Sequence, residues 1–340
     1  MTISQVSPLL SPEEIAVRAG QQVQHLRFPE RFDVFSSREA RLRQRAASNS
    51  MQDFLLFAAE LVRAQHSILQ SYPDVVLPDA AALDAAANLG QAPIPATLWP
   101  RDPKWRTAFH RMLDGLALRL AGNPAQAAVH EVQQMSDQEL ELQADRLLNN
   151  IMFGLNLATA SLIAAGLQAY WTHMLLATLK ARGNDQLAPF GRIADSTQCP
   201  CCGSRPTASI SRVDADGHYR YLHCSLCSLQ WHMVRIKCSH CESTKGIHYH
   251  SLQAVEDIAP AGSSSARKEA IEVETCDECN HYLKIVRMER DIAVEPIADD
   301  LASVTLDLLV SEAGYQRHGV NLMLLFGDPD GPDINDGGGG

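Results

Sequence analysis

Four Cys-x-x-Cys pairs fall within a short stretch of this 340-residue chain: Cys199 with Cys202, Cys224 with Cys227, Cys238 with Cys241, and Cys276 with Cys279. Each pair places two thiolates on one tight turn, and two such turns complete a tetrahedral sulfur site for zinc or iron. Cys201 is the ninth cysteine. An odd count argues against a disulfide framework. Met1 to Leu10 shows no basic region, apolar run or small-residue cleavage site, so a reducing, cytoplasmic setting is expected.

The spacing suggests how the pairs combine. Cys202 and Cys224 enclose 21 residues, close to the interval of four-cysteine sites. Within it, 208–213 and 218–222 read as strands of a hairpin turning at Asp214-Ala215-Asp216-Gly217. Cys241 and Cys276 enclose 34 residues, with a strand ending near Leu252, a flexible loop at 259–266 and a second strand at 270–275. The unit is thus knuckle, hairpin, knuckle, and it occurs twice. Crossed pairing of the knuckles is the less economical alternative. The linker from Ser228 to Lys237, read as a strand, spans at most about 33 Å, which gives two separate mononuclear sites. A purely structural staple of a small β domain is the commonest use of such sites. Paired redox dithiols would need a βαβ context, which the sequence lacks. Cys201 reads as a spectator. His218, His223, His232, His240, His248, His250 and His281 read as surface or hairpin residues, with His240, inside the third knuckle, as the one substitute ligand.

The rest of the chain places these units in an α+β architecture. Ala and Leu at helical spacing run from about Ser11 to Arg182, with helix starts at Ser11-Pro12-Glu13-Glu14 and Ser136-Asp137-Gln138-Glu139. Phe54, Leu55, Ala58, Leu61, Val62, Gln65 and Leu69 share one helical face, as do Trp105, Phe109, Met112, Leu113, Leu116 and Leu120. Pro93 to Pro103 is a loop. The 33 residues from Leu147 to Leu179 contain no charged side chain, but polar residues interrupt them, so they read as core helices and not as a membrane span. The expected organisation is an all-helical domain at 1–190, a first metal module and linker at 191–242, and a second module at 238–290. A C-terminal acidic helix and extension follow at 291–326, then a flexible tail at 327–340. That helix would be capped at Asp299-Asp300.

Charge excludes more than it suggests. Of the net −11, residues 291–340 contribute most, with 10 acidic groups and 1 basic, and these read as a solvated helix face and a soluble tail. The cysteine region is balanced before its thiolates are counted, a poor basis for binding nucleic acid, although Arg205, Arg212, Arg220, Arg235 and Lys237 could form a local patch. There is no G-x-S-x-G, P-loop, H-E-x-x-H or dinucleotide-binding glycine motif, so an enzyme is not expected. The competing readings are a zinc-ribbon adaptor for nucleic acid or the transcription machinery, and a thiol redox sensor.

The order of motifs resembles the formate dehydrogenase accessory proteins, the FdhE family. The matching residues are Cys199-Pro200-x-Cys202-Gly203-Ser204, Tyr221-Leu222-His223-Cys224-Ser225-Leu226-Cys227 with Trp231, Arg235-Ile236-Lys237-Cys238-x-x-Cys241, and Glu274-Thr275-Cys276-Asp277-x-Cys279 with Tyr282-Leu283-Lys284. Asp299-Asp300-Leu301, Leu306-Asp307-Leu308-Leu309 and Gly314-Tyr315-x-Arg317 extend the likeness, and Trp99 to Trp105 carries it into the helical half. The resemblance implies a cytoplasmic assembly factor that binds the catalytic subunit of respiratory formate dehydrogenase before export. It also implies two rubredoxin-like sites holding iron through Cys199, Cys202, Cys224 and Cys227, and through Cys238, Cys241, Cys276 and Cys279. Gly203 suits the positive φ of such a turn. Ser228, Glu242 and Asn280 stand in the equivalent places of the other knuckles, so zinc remains the alternative metal.

Overall fold

The computed structural model describes residues 24–183, 190–191, 193–214, 217–252 and 269–325. The helix start at Ser11-Pro12-Glu13-Glu14, the loop at 259–266, Ala215-Asp216 in the hairpin turn and the tail at 327–340 lie outside the described residues.

After a short strand β1 (Leu26–Arg27), seven helices among the described residues build the N-terminal half: α1 (Val34–Ala46), α2 (Gln52–Gln70), α3 (Ala80–Asn88), α4 (Lys104–Arg119), α5 (Gln126–Gln134), α6 (Asp137–Leu148) and α7 (Leu157–Arg182). Polar caps start several of them, because the first backbone N–H groups of a helix have no partner within it. Ser136 Oγ accepts from Glu139 N at 3.2 Å, as the capping box predicts, and Asp79 and Asn156 cap α3 and α7 in the same way. The apolar faces of α2 and α4 face the core: Leu55, Ala58, Leu61, Val62, Leu69, Trp105, Phe109, Met112, Leu113 and Leu116 are all buried.

Helix α7 is the axis of this half. It is buried on nearly every side, and Gly166 leaves room for the Phe109 ring, which a Cβ would overlap. This single helix of 26 residues, with a mean hydropathy of 1.2 over an 18-residue window, reaches the length and composition of a membrane span despite the polar residues that interrupt it. The protein covers 83% of that window, which makes α7 a core helix here. Its polar residues point at partners. Gln168 accepts from Gln65 Nε2 at 3.0 Å and donates to the carbonyl of Ser225 at 2.7 Å, and Trp171 Nε1 donates to Ile94 O at 3.2 Å.

The cysteine region forms β2 (Pro206–Asp214), β3 (Gly217–Cys224), β4 (Gln230–His232), β5 (Ile247–His250), β6 (Ile271–Cys276) and β7 (His281–Arg287). Both predicted hairpins exist, β2–β3 and β5–β6, each antiparallel. The two four-cysteine units follow one another in the chain and share one sheet: β2 pairs parallel with β7, with Ser209 opposite Ile285, so among the described residues one eight-stranded sheet runs β1-β4-β3-β2-β7-β6-β5, and β8 (Gln316–Arg317) adds to β7. The linker is strand only at β4. It folds back along β3, with Trp231 opposite Leu222, instead of extending away, because Trp231 and Leu229 gain burial there. Alternation along the strands divides the side chains between two cores. Leu222 and Leu283 join the large cluster that holds the helical half and the first four cysteines, while their neighbours Tyr221 and Tyr282 join a smaller one with Ile210, Val273 and Leu306.

The C-terminal segment corrects the sequence reading most. One helix capped by Asp299-Asp300 is replaced by two, α8 (Pro296–Leu301) and α9 (Val304–Glu312), and the cap of α8 is Glu295, which accepts from Ala298 N at 2.7 Å. Asp299, Asp300 and Asp307 are buried, not solvated. Arg41 of α1 binds Asp299 at 2.8 Å, Lys284 of β7 binds Asp307 at 2.5 Å, and Arg317 binds Asp300 at 2.7 Å and Asp307 at 2.9 Å. The acidity of this segment is thus partly internal charge matched by cations from α1, β7 and β8, the condition under which buried carboxylates stay ionised.

Candidate metal centres

The eight paired cysteines converge in two groups, Cys199, Cys202, Cys224 and Cys227, and Cys238, Cys241, Cys276 and Cys279. The first knuckle pairs with the second and the third with the fourth, without crossing. In the first group Cys199 and Cys227 lie 3.5 Å apart sulfur to sulfur, Cys202 and Cys224 3.4 Å, and Cys202 and Cys227 3.8 Å. In the second, Cys238 and Cys279 are 3.7 Å apart and Cys241 and Cys276 3.8 Å. A disulfide needs about 2.05 Å, whereas four sulfurs about 2.3 Å from a tetrahedral ion lie about 3.8 Å from one another. Both groups fit the latter.

Local backbone chemistry explains the shared shape. The residue after the second cysteine has a left-handed conformation in all four knuckles: Gly203 at φ 71°, Ser228 at 60°, Glu242 at 59° and Asn280 at 55°. Glycine is therefore not required at this place, although a side chain there carries a cost of about 1 kcal/mol or more. The amides that this turn exposes are used. Gly203 N donates to Cys199 O at 2.8 Å and Asn280 N to Cys276 O at 2.8 Å, and the amides of Leu226 and His240 donate to the sulfurs of Cys224 and Cys238 at 3.3 Å. Such N–H···S bonds favour the thiolate.

Surroundings separate the two groups. Cys199, Cys202, Cys224 and Cys227 are buried within the large core. The proline-rich loop after α3 braces the first knuckle, with Ile94 N donating to Cys201 O at 3.0 Å and Ala96 N to Cys202 O at 2.9 Å. Burial pushes the thiols of Cys199 and Cys227 well up, so gathering four thiolates there needs a cation. Cys201 is buried too, its thiol pushed up to about 11 by burial, which suits a neutral spectator. In the second group Cys241 is exposed and Cys279 half-buried, while burial pushes Cys238 up to about 11.

The histidines depart from expectation. His223, next to Cys224, is buried, and burial together with Arg38 and Arg212 holds its ring neutral. His240 is not the one imidazole near a ligand: His281 stacks on it at 3.7 Å, both lie with Cys279 in a third group, and His318 meets His240 edge-on at 4.9 Å. The position of His281 two residues after Cys279 was the available signal. The basic residues do not make one exposed patch. Arg220 is buried against Glu274 at 2.8 Å, tying β3 to β6, and Lys237 faces Glu242 at 3.4 Å.

Family models described as FdhE N-terminal, central domain and C-terminal domain match residues 23–188, 198–235 and 236–324. The chain is 35% identical over 312 residues to the Protein FdhE homolog of Cronobacter sakazakii and to Protein FdhE of Salmonella dublin, covering 92% of this chain and 94% of each relative. The crystal structure of the FdhE protein from Pseudomonas aeruginosa superposes with a TM-score of 0.73 at 33% identity, over 90% of this chain and all of that one. With both four-cysteine groups inside the matched residues, the chain belongs to the FdhE family.

Proposed function

We propose that this protein is a cytoplasmic accessory factor in the formation of respiratory formate dehydrogenase, and that it binds the catalytic subunit before export instead of catalysing a reaction itself. The observation that carries the reading is the family match along 92% of the chain, in which both four-cysteine groups are intact. In this reading Cys199, Cys202, Cys224 and Cys227 hold one metal ion, and Cys238, Cys241, Cys276 and Cys279 a second. The metal is iron, with zinc as the alternative. The chain's own residues supply a rigid platform: paired knuckles pin β2, β3 and β6, and Gln168, Ile94 and Ala96 lock the first pair to the helices. A bound iron would add one-electron chemistry at a tetrathiolate site.

Tagged protein from cells should retain the formate dehydrogenase catalytic subunit, and deletion of the gene should abolish dehydrogenase activity without lowering the amount of its transcript. Unchanged activity in the deletion strain would sink the proposal. Protein purified without oxygen should carry two metal equivalents. Colour in the visible range assigns iron and a colourless two-equivalent protein assigns zinc.

A further inference from the structure

A second polar feature lies beside the second knuckle, in a cavity of about 370 Å³ between the entry to α1, the β2–β3–β4 edge and the loop before α8. Its lining includes Arg27, Arg212, His223, Ser228, Gln230 and Glu295. Arg212 is part-buried, and among the described residues no carboxylate lies within ion-pair distance of it. Its Nε donates to Gln230 Oε1 at 2.7 Å, while among the described residues its Nη1 meets the weak acceptor Met288 Sδ, at 3.7 Å.

That first bond has a chain of consequences. With Oε1 of Gln230 turned to Arg212, its Nε2 faces His223 Nδ1 at 3.0 Å and must donate to it. His223 Nδ1 is then the acceptor, and Nε2 carries the proton. This Nε2 is buried, in a residue only 3% exposed, and has no hydrogen-bond partner among the described residues. The guanidinium of Arg27 binds Asp214 through Nη2 and leaves its buried Nε unpartnered as well. On the acceptor side, Glu295 is already engaged by Arg38 Nε at 3.0 Å and Ala298 N at 2.7 Å, and Glu30 and Asp33 are exposed at the rim. Unsatisfied buried donors beside a cation without a carboxylate are costly unless an acceptor completes them.

We propose that this cavity binds a small oxyanion, the carboxylate or phosphate group of a small molecule, between the Arg212 guanidinium and the His223 Nε2–H. Arginine presents parallel N–H donors that match two oxygens of either group. Gln230 is the positioning residue, since it orients Arg212 and sets the histidine tautomer. The site is independent of the assembly role, and its failure would leave that role untouched.

Calorimetric titration of the full-length, metal-loaded protein with inorganic phosphate and with acetate, at constant ionic strength against potassium chloride, tests it. One saturable site is expected, and the tighter of the two anions identifies the preferred group. Arg212→Gln and His223→Phe should each weaken binding about tenfold or more at unchanged metal content, as loss of one charge-assisted or one buried hydrogen bond implies. Gln230→Glu keeps the shape but accepts from His223, moving its proton to Nδ1 and giving Arg212 an internal carboxylate, so it too should weaken binding. This variant keeps the test open if His223→Phe does not fold. No saturable binding of either anion at tens of millimolar, or binding unchanged in Arg212→Gln and Gln230→Glu, would overturn the proposal.

Discussion

Cys199, Cys202, Cys224 and Cys227 are at most 1% exposed, whereas in the second group Cys241 is open to solvent and Cys279 half-buried. The turns that present these sulfurs are alike, down to the left-handed residue after each second cysteine. What differs is what packs around them. The first group is continuous with the core of the helical half and braced by Ile94, Ala96 and Gln168. The second sits at the sheet's far end beside three imidazoles. Equal local geometry therefore does not imply an equal contribution to stability: a cluster inside the core couples to everything packed on it, and one at the rim couples mainly to its own hairpin.

The largest effect that would separate the two comes from removing ligands. Cys224→Ala with Cys227→Ala should lose one metal equivalent and the cooperative folding of the chain, because a structural metal's binding energy is folding energy. Cys276→Ala with Cys279→Ala should lose one equivalent by elemental analysis while keeping the helical circular dichroism and a cooperative melt. If both pairs unfold the chain alike, the contrast fails. Chelator challenge sharpens the same point in time. One equivalent should leave early through the exposed Cys241 side, and the second only on the timescale of global unfolding. Release of both in a single phase would contradict the burial difference.

The contact between the two halves of the sheet can be broken next. Arg220→Met strands Glu274 as a buried, unpaired carboxylate, and urea unfolding should show a loss of about 3–5 kcal/mol. A loss below about 1 kcal/mol would mean that the two hairpins are held by β2–β7 pairing alone. The smallest effect concerns the turns themselves. Gly203→Ala places a Cβ at a positive φ with no close steric contact, so it should cost only about 1–2 kcal/mol and leave the metal count unchanged.

Much of this was legible in the linear order. The Cys-x-x-Cys pairs and their intervals are short-range patterns, and two knuckles around one hairpin meet by local folding. The helical faces of α2 and α4 and the Ser136 cap were readable for the same reason: their partners lie within one or two turns. The burial of the acidic segment is not legible in the sequence because its partners are remote. Arg41 and Asp299 are 258 positions apart, and no periodicity links them. Ser228 and Glu242 give no hint of a left-handed turn, since the sulfurs and the sheet on either side impose that conformation, whereas Asn280 is of a residue type that tolerates it.

By itself, then, the sequence determined the four Cys-x-x-Cys knuckles, the two hairpins and the helical character of the first half, and it carried the family resemblance, while crossed pairing of the knuckles was excluded only by the geometry. Those properties rest on spacing and side-chain periodicity, which act over a few residues. Only the tertiary structure decided that the two hairpins share one sheet through β2 and β7, that one sulfur cluster is inside the core and the other at its rim, and that Asp299, Asp300 and Asp307 are interior charges. Burial and ion pairing depend on which distant surfaces meet, and that is settled when the helices close over one face of the sheet.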